Sequence, residues 1–244
     1  MQKTLSLFSQ RLSIHSKLVD EECEAVVNLP GRRETLKAHA VIAEGNEHSA
    51  STILVLDGFC ARVEMPVEGR RQITGIFIAG DMPDLGMVFR PQAGGTLEAM
   101  TQAAILRIPH QDMRMLMKRF PALTEAFARQ IAADSAVAVE WLTSLGSRNG
   151  VGRVAHLVCE IATRMGKVNG NVFSCPFPIK QQQVGEACGL STVHVNRSLM
   201  VLRKLELVTI EKGVAQVRDW SGLMQAADFT DDYLIAQAPL RYWN

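Results

Sequence analysis

The chain has no apolar run near the roughly 20 residues that a membrane-crossing helix needs, so no membrane partner is expected. Its opening segment, MQKTLSLFSQRLSIHSK, breaks its apolar residues with Ser, Gln and Arg. A secretory signal needs an unbroken apolar core, which makes a cytoplasmic protein the expectation. Cysteine is scarce and widely spaced: Cys23, Cys60, Cys159, Cys175 and Cys188, an odd count with no CxxC pair. That argues against a disulfide framework, an iron–sulfur cluster and a zinc site, and leaves free thiols in a reducing compartment. No cofactor or metal is expected, and nothing singles out His15, His39 or His48 as a haem ligand. A P-loop, a nucleophile elbow, a zinc-protease motif and a dinucleotide fingerprint are all missing, so the chain does not read as an enzyme.

Net charge is nearly absent as well, at +1 over 244 residues, but it is unevenly spread. From Arg148 to Asp219 there are ten Lys/Arg against five Asp/Glu, whereas residues 1–147 carry fifteen against seventeen. The basic excess therefore sits in one segment, as expected of a region that meets phosphates.

Three patterns follow one another. Residues 4–28 have helical spacing through Leu5, Phe8, Leu12, Leu18, Val26 and Val27. From Ala38 to Pro109, short β-branched segments at 51–56, 59–65, 71–78 and 103–109 recur about every ten residues. Gly45, Gly58, Gly69 and Gly80 punctuate this region. This is the signature of a small antiparallel barrel or roll. After Pro121, the positions Leu123, Phe127, Ile131, Asp134, Ala138, Trp141 and Leu145 step by 4, 4, 3, 4, 3 and 4. That approximates a heptad seam and reads as the dimer face of one long helix. Packing of the same helix on its own roll is the alternative. Gly146 to Gly152 reads as a hinge.

The segment from Lys180 to Val217 carries the function. Gln181–Ala187 reads as a short helix that Gly189 ends, and Gly185 lets a second helix approach closely. Ser191 is a suitable N-cap for that helix. Val195, Leu199, Leu202 and Leu205 form its core face, with Val184, Cys188 and Leu190 between the helices. Ser198 stands where an apolar residue is usual, which implies a looser core. LVTIEKGVAQV then alternates around Lys212-Gly213 and reads as a β-hairpin wing. The exposed face of the second helix holds Thr192, Val193, Asn196 and Arg197, the candidates for base reading. Lys180, Gln182, Ser191, His194 and Lys212 are candidates for phosphates.

In this order the chain resembles the Crp–Fnr family of transcription regulators, most specifically through GEACGLSTVHVNRSLMVLRKLELV (185–208), and more weakly through DGFCARV, EGRRQI and IAGDM. The resemblance implies an α+β architecture. A jelly-roll-like, double-stranded β-helix sensor domain (1–119) would lead to a dimerisation helix (120–147). A winged helix-turn-helix domain (148–219) and a C-terminal extension (220–244) would follow. It implies a homodimer that reads a near-palindromic site in double-stranded DNA and contacts RNA polymerase. It assigns Arg197 to a guanine. Family members often have Glu where Val193 stands; Val cannot accept from cytosine N4 but can touch a thymine methyl. The half-site should therefore share one guanine with family sites and differ beside it.

The sensor roll departs from cyclic-nucleotide-binding members. Pro83 and Asp84 replace the Gly-Glu pair that holds the ribose, and Gly94 and Gly95 stand where the phosphate-binding Arg is expected. Without that Arg, a buried cyclic phosphate lacks its main counter-charge. Either another small molecule binds the roll, or the protein is active as made. The tail after Asp219 reads as a helix, WSGLMQAA, and then an aromatic, acidic stretch expected to pack on the DNA-binding domain or on a partner chain.

Overall fold

The computed structural model describes residues 2–45, 49–66, 69–91 and 94–234. They fall into two compact units. The first draws on residues 1–64 and 75–136, the second on 65–74 and 137–234.

The first unit opens with α1 (Gln2–His15) and α2 (Asp20–Val27). Leu5, Phe8 and Leu12 recur on one face of α1 and are fully buried, as the helical spacing requires. Seven strands follow: β1 (Arg32–Leu36), β2 (Val41–Ala43), β3 (Ser51–Asp57), β4 (Cys60–Glu64), β5 (Gln72–Phe77), β6 (Thr96–Ala99) and β7 (Ala103–Pro109). They form two antiparallel sheets, in the orders β1-β7-β3 and β2-β6-β4-β5, which is the jelly-roll-like architecture. Ile42, Ile53, Val55, Cys60, Leu97, Ala99 and Ile105 make up one core between strands. β2 and β6 lie inside the region read as strands without having been singled out, and β1 lies before it. β1 is the polar run RRETL, mostly solvent-facing and, among the described residues, paired with β7 at the sheet edge. Its attachment rests on ladder bonds and on the Arg107–Glu34 ion pair at 2.8 Å, which hydrophobic patterning cannot reveal.

Two helices close this unit: α3 (His110–Arg119) and the first part of α4 (Pro121–Ser147). Here the expected dimer seam meets a competing use. Leu123 and Phe127 have no exposure at all. They belong to a core made with Leu5, Phe8, Leu12, Val26, Leu54, Leu106 and Met113, in which Phe8 and Phe127 stack at 6.2 Å. Ile131 packs half-buried on the same cluster. Towards the other end Trp141 is buried, and Leu145 lines a cavity of about 20 Å³ with Ser144, Arg153 and His156, room for about one water. The ends of the predicted seam are thus spent inside the chain. The stripe left open lies one residue along: Ala128, Ala132, Ser135, Val139 and Leu142. It also steps by 4, 3, 4 and 3, and Val139 and Leu142 are 62% and 71% exposed. Asp134 and Ala138 are exposed beside it, and the Asp134 carboxylate accepts from Gln130 at 2.9 Å. Asp134 therefore carries no burial cost in the chain.

The second unit contains α5 (Gly150–Arg164), β8 (Phe173–Pro176), α6 (Gln181–Cys188), α7 (Thr192–Lys204), β9 (Val208–Glu211), β10 (Val214–Val217) and α8 (Trp220–Ala227). The three strands form one antiparallel sheet in the order β8-β10-β9. The expected hinge is narrower than the glycines suggest, because α4 ends at Ser147 and α5 begins at Gly150. Asn149 caps α5, its side-chain oxygen accepting from the Gly152 N–H at 2.9 Å. Gly150 and Gly152 are helical and serve close packing. A Cβ at 150 would lie 3.3 Å from Ser198 Oγ, and one at 152 would lie 3.3 Å from the Ala226 carbonyl. This explains Ser198, which is buried: a small side chain there admits the start of α5, so the core is close-packed and not loose.

Candidate nucleic-acid interface

The helix-turn-helix is built by local chemistry. Gly189 ends α6 in the left-handed region, at φ +63°, and its N–H donates to the Gly185 carbonyl. Only glycine enters that region without a Cβ penalty. The Leu190 N–H also donates to the Gly185 carbonyl, at 2.9 Å, which folds the turn back over α6. Gly185 is needed for this approach, because a Cβ there would sit 2.6 Å from the Leu190 carbonyl oxygen. Ser191 then caps α7, accepting from the His194 N–H at 3.4 Å, while its hydroxyl also meets His194 Nδ1 at 2.8 Å. Val195 and Leu202 are fully buried, and Val184 and Cys188 of α6 are buried as well. Leu205 differs from expectation. It is the C-cap of α7 and 58% exposed, and Leu207 and Val208 take the buried positions after the helix ends.

Thr192, Val193, Asn196 and Arg197 all lie exposed on α7. The face continues through Met200 and Lys204, which the sequence reading did not single out. From Thr192 to Lys204 the helix carries no carboxylate, while Arg197, Arg203 and Lys204 add positive charge and the helix N-terminus adds its partial charge. Arg203 is 3.6 Å from Glu211 in an exposed pair. The candidate phosphate residues differ in their engagement. Lys180 is the exposed N-cap of α6, and its backbone N–H donates to Gln183. Gln182 is exposed but donates to Glu186 at 2.9 Å, and Glu186 in turn pairs with Arg71 at 2.9 Å. Lys212 and Gly213 form the tight turn between β9 and β10, at φ +51° and +77°, the geometry of a two-residue hairpin loop. The wing is present, with Lys212 exposed at its tip.

Behind the helix-turn-helix lies a buried polar cluster that the sequence did not suggest. Glu160 sits at zero exposure inside the apolar run of α5. It accepts from Trp141 Nε1 at 2.8 Å, Arg164 Nη1 at 2.9 Å and the Tyr233 hydroxyl at 3.0 Å. Such a charge survives burial only with this many donors. His156 Nε2 lies 3.3 Å from both the Tyr233 hydroxyl and a Glu140 oxygen, the arrangement of one N–H shared by two acceptors. Burial, then the Arg148 guanidinium, lowers the His156 pKa to about 4, so the ring is neutral near pH 7. Arg148 already pairs with Glu140 at 2.8 Å and donates to the Ala227 and Asp228 carbonyls. Phe229 and Tyr233 pack edge-on and stacked against His156. The start of the extension therefore packs on the DNA-binding domain, and its last part, 235–244, lies outside the described residues. The thiols are also accounted for. All five cysteines are free, and burial pushes Cys60 and Cys188 up to about 12 and Cys175 to about 11.

In the roll, the stretch expected to depart from nucleotide-binding members is internally occupied. Asp84 is 4% exposed and pairs with Arg62, reaching from β4. The same guanidinium donates to the Pro83 carbonyl at 3.0 Å and to the Gly94 carbonyl, and lies 5.8 Å over the Phe77 ring. Asp81 is held in the same way by Arg11 and by the Ile78 N–H.

A jelly-roll unit, a long helix and a winged helix-turn-helix with a cationic recognition helix define a DNA-binding transcription regulator with a sensor-type domain. Residues 33–120 match the model of the cyclic nucleotide-binding domain, and residues 152–226 match that of the Crp-like helix-turn-helix domain; together they take up two thirds of the chain. The chain belongs to the Crp–Fnr family. It is 26% identical over 180 residues, 74% of each chain, to a probable transcriptional activator of Rhizobium leguminosarum bv. viciae. It is 17% identical over 220 residues to the fumarate and nitrate reduction regulatory protein of Escherichia coli K12, covering 90% of this chain and 88% of that one. The structure of FixK2 from Bradyrhizobium japonicum has the same fold, with a TM-score of 0.72 and 18% identity over 83% of this chain and 100% of that one. Among the described residues no helix is long and apolar enough to cross a membrane.

Proposed function

We propose that this regulator works as a homodimer on a near-palindromic operator and needs no cyclic nucleotide to bind it. The observation that carries this reading is the recognition face of α7, which holds Thr192, Val193, Asn196 and Arg197 exposed beside a wing tipped by Lys212. Arg197 takes the O6 and N7 acceptors of a guanine, and Asn196 suits an adenine. Lys180, Gln182, Ser191, His194 and Lys212 position the chain on phosphates. Dimerisation uses α4. The stripe Ala128, Ala132, Ser135, Val139 and Leu142 supports it, since two exposed aliphatic side chains in a heptad stripe gain from a second copy. Ile131, Asp134 and Ala138 border that contact, while Leu123, Phe127, Trp141 and Leu145 brace the helix from within. The working division is a sensor roll at 1–119, the dimer helix at 120–147, the DNA-binding domain at 148–219 and an extension beyond. RNA polymerase is the partner in activation, and the site of action is the cytoplasm.

Independence of a cyclic nucleotide is supported by the Arg62–Asp84 pair. A ribose hydroxyl seeking Asp84 would have to displace the half-buried guanidinium that already pairs with it. Selection of duplexes from a random pool by the purified chain, with no ligand added, tests the whole reading. The expected result is an enriched inverted repeat with half-sites about 34 Å apart, steep loss of affinity with salt and a dimer in sedimentation. Enrichment that appears only when a small molecule is supplied would favour a ligand-gated regulator instead.

A further inference from the structure

The recognition face carries two large apolar side chains that face solvent. Val193 is 61% exposed and Met200 is 65% exposed. Val193, Arg197, Met200 and Lys204 fall at i, i+4, i+7 and i+11, so they lie in one stripe along α7. Seven residues separate Val193 from Met200, which is about 10 Å along the helix axis and about three base-pair steps. Cations on the same stripe, and the lack of any carboxylate on the helix, make a polyanion the complementary surface. Within a major groove, an alkyl side chain can neither donate to purine acceptors nor accept from exocyclic amines, and a thioether donates nothing and accepts only weakly. The one base-edge group that matches it is the C5 methyl of a pyrimidine.

We infer that Val193 and Met200 are specificity-determining residues that read C5-methyl groups on either side of the guanine taken by Arg197. This rests on the DNA-binding reading above and adds its chemistry: the half-site is recognised through methylated pyrimidines, thymine or 5-methylcytosine, about three steps apart. Val193 has a short, stiff side chain and fixes one methyl position closely. Met200 is long and flexible, so its position tolerates more variation.

The experiment uses the full chain and its selected site. Each thymine is replaced in turn by deoxyuridine, which removes only the methyl group, and binding is measured at fixed salt. Burial of one methyl predicts about fourfold weaker binding, and about fifteenfold when both halves of the repeat are changed. The loss should appear at two positions flanking the required G·C pair. It should vanish at one of them in Val193→Ala and at the other in Met200→Ala. Both variants alter exposed side chains, so the fold is kept. 5-Methylcytosine with its paired guanine, placed at either position, should restore part of the affinity that plain cytosine loses. Tight binding that tolerates deoxyuridine everywhere would overturn the assignment and leave the DNA-binding reading intact. So would deoxyuridine losses that persist unchanged in both variants. Failure to bind any duplex in a salt-dependent manner would overturn both.

Discussion

Gly185→Ala sets two opposing effects against each other at the turn of the helix-turn-helix. Alanine is the better helix former by about 0.8–1.0 kcal/mol, so helix propensity alone predicts a more stable protein. Against this, the new Cβ would stand 2.6 Å from the Leu190 carbonyl oxygen. That oxygen is backbone, and Leu190 is itself tied to Gly185 by its N–H at 2.9 Å, so neither side can yield without opening the turn. Overpacking of this kind costs about 1–3 kcal/mol or more. The clash should win, leaving the variant less stable by up to about 2 kcal/mol, a fall in Tm of up to about 8 °C for a chain of this size. Affinity for the selected operator should drop further than the stability loss alone explains, because the shift moves α7 relative to α6. Gly146→Ala is the internal control. It lies in α4, and a Cβ there would meet nothing within 4 Å, so the same change should be neutral or stabilising by up to about 1 kcal/mol. Calorimetry and urea unfolding on both variants decide the matter. A Gly185→Ala protein as stable as the parent, with unchanged DNA affinity, would refute the close-approach argument.

Tyr233→Phe removes one of three donors to the fully buried Glu160, and should cost about 1.5–3 kcal/mol in urea unfolding; an unchanged midpoint would show that the extension does not brace the domain. His156 is held neutral with its pKa lowered from 6.5 to about 4, so the unfolded chain takes up a proton in that window and the folded chain does not. Its contribution to stability is therefore full above about pH 6.5 and declines as pH falls to about 4, by about 3 kcal/mol in total. His156→Gln should flatten that part of the pH profile, and identical slopes in the two proteins would contradict it. Arg197→Ala should lower affinity for the selected site by about 1–3 kcal/mol and relax the preference for its G·C pair, read by competition with mutated sites; loss of affinity uniform across sequences would make Arg197 a phosphate contact.

The helix-turn-helix was legible from sequence because its signals are local. Gly189 meets a left-handed backbone, Gly185 a close approach, Ser191 a helix start, and Lys212-Gly213 a two-residue turn. Each follows from stereochemistry within a few residues. The roll strands with continuous β-branched runs were legible for the same reason, whereas the polar edge strand β1 was not, since its attachment comes from a partner strand more than sixty residues away.

What the sequence by itself determined, then, is the order of elements, the helix-turn-helix with its wing, and glycine rather than arginine at 94 and 95. Tertiary structure alone decided which face of α4 is free. Two stripes on that helix share the heptad step, and periodicity cannot choose between them. Leu5, Phe8 and Leu12 of α1 bury Leu123 and Phe127 in the first unit, and within the second unit Trp141 is buried while Val139 and Leu142 are exposed. Tertiary structure also made Glu160 tolerable, by bringing Trp141, Arg164 and Tyr233 to one carboxylate. The physical reason is common to both cases. Backbone conformation is written into neighbouring residues, but burial depends on surfaces that only the folded chain brings together.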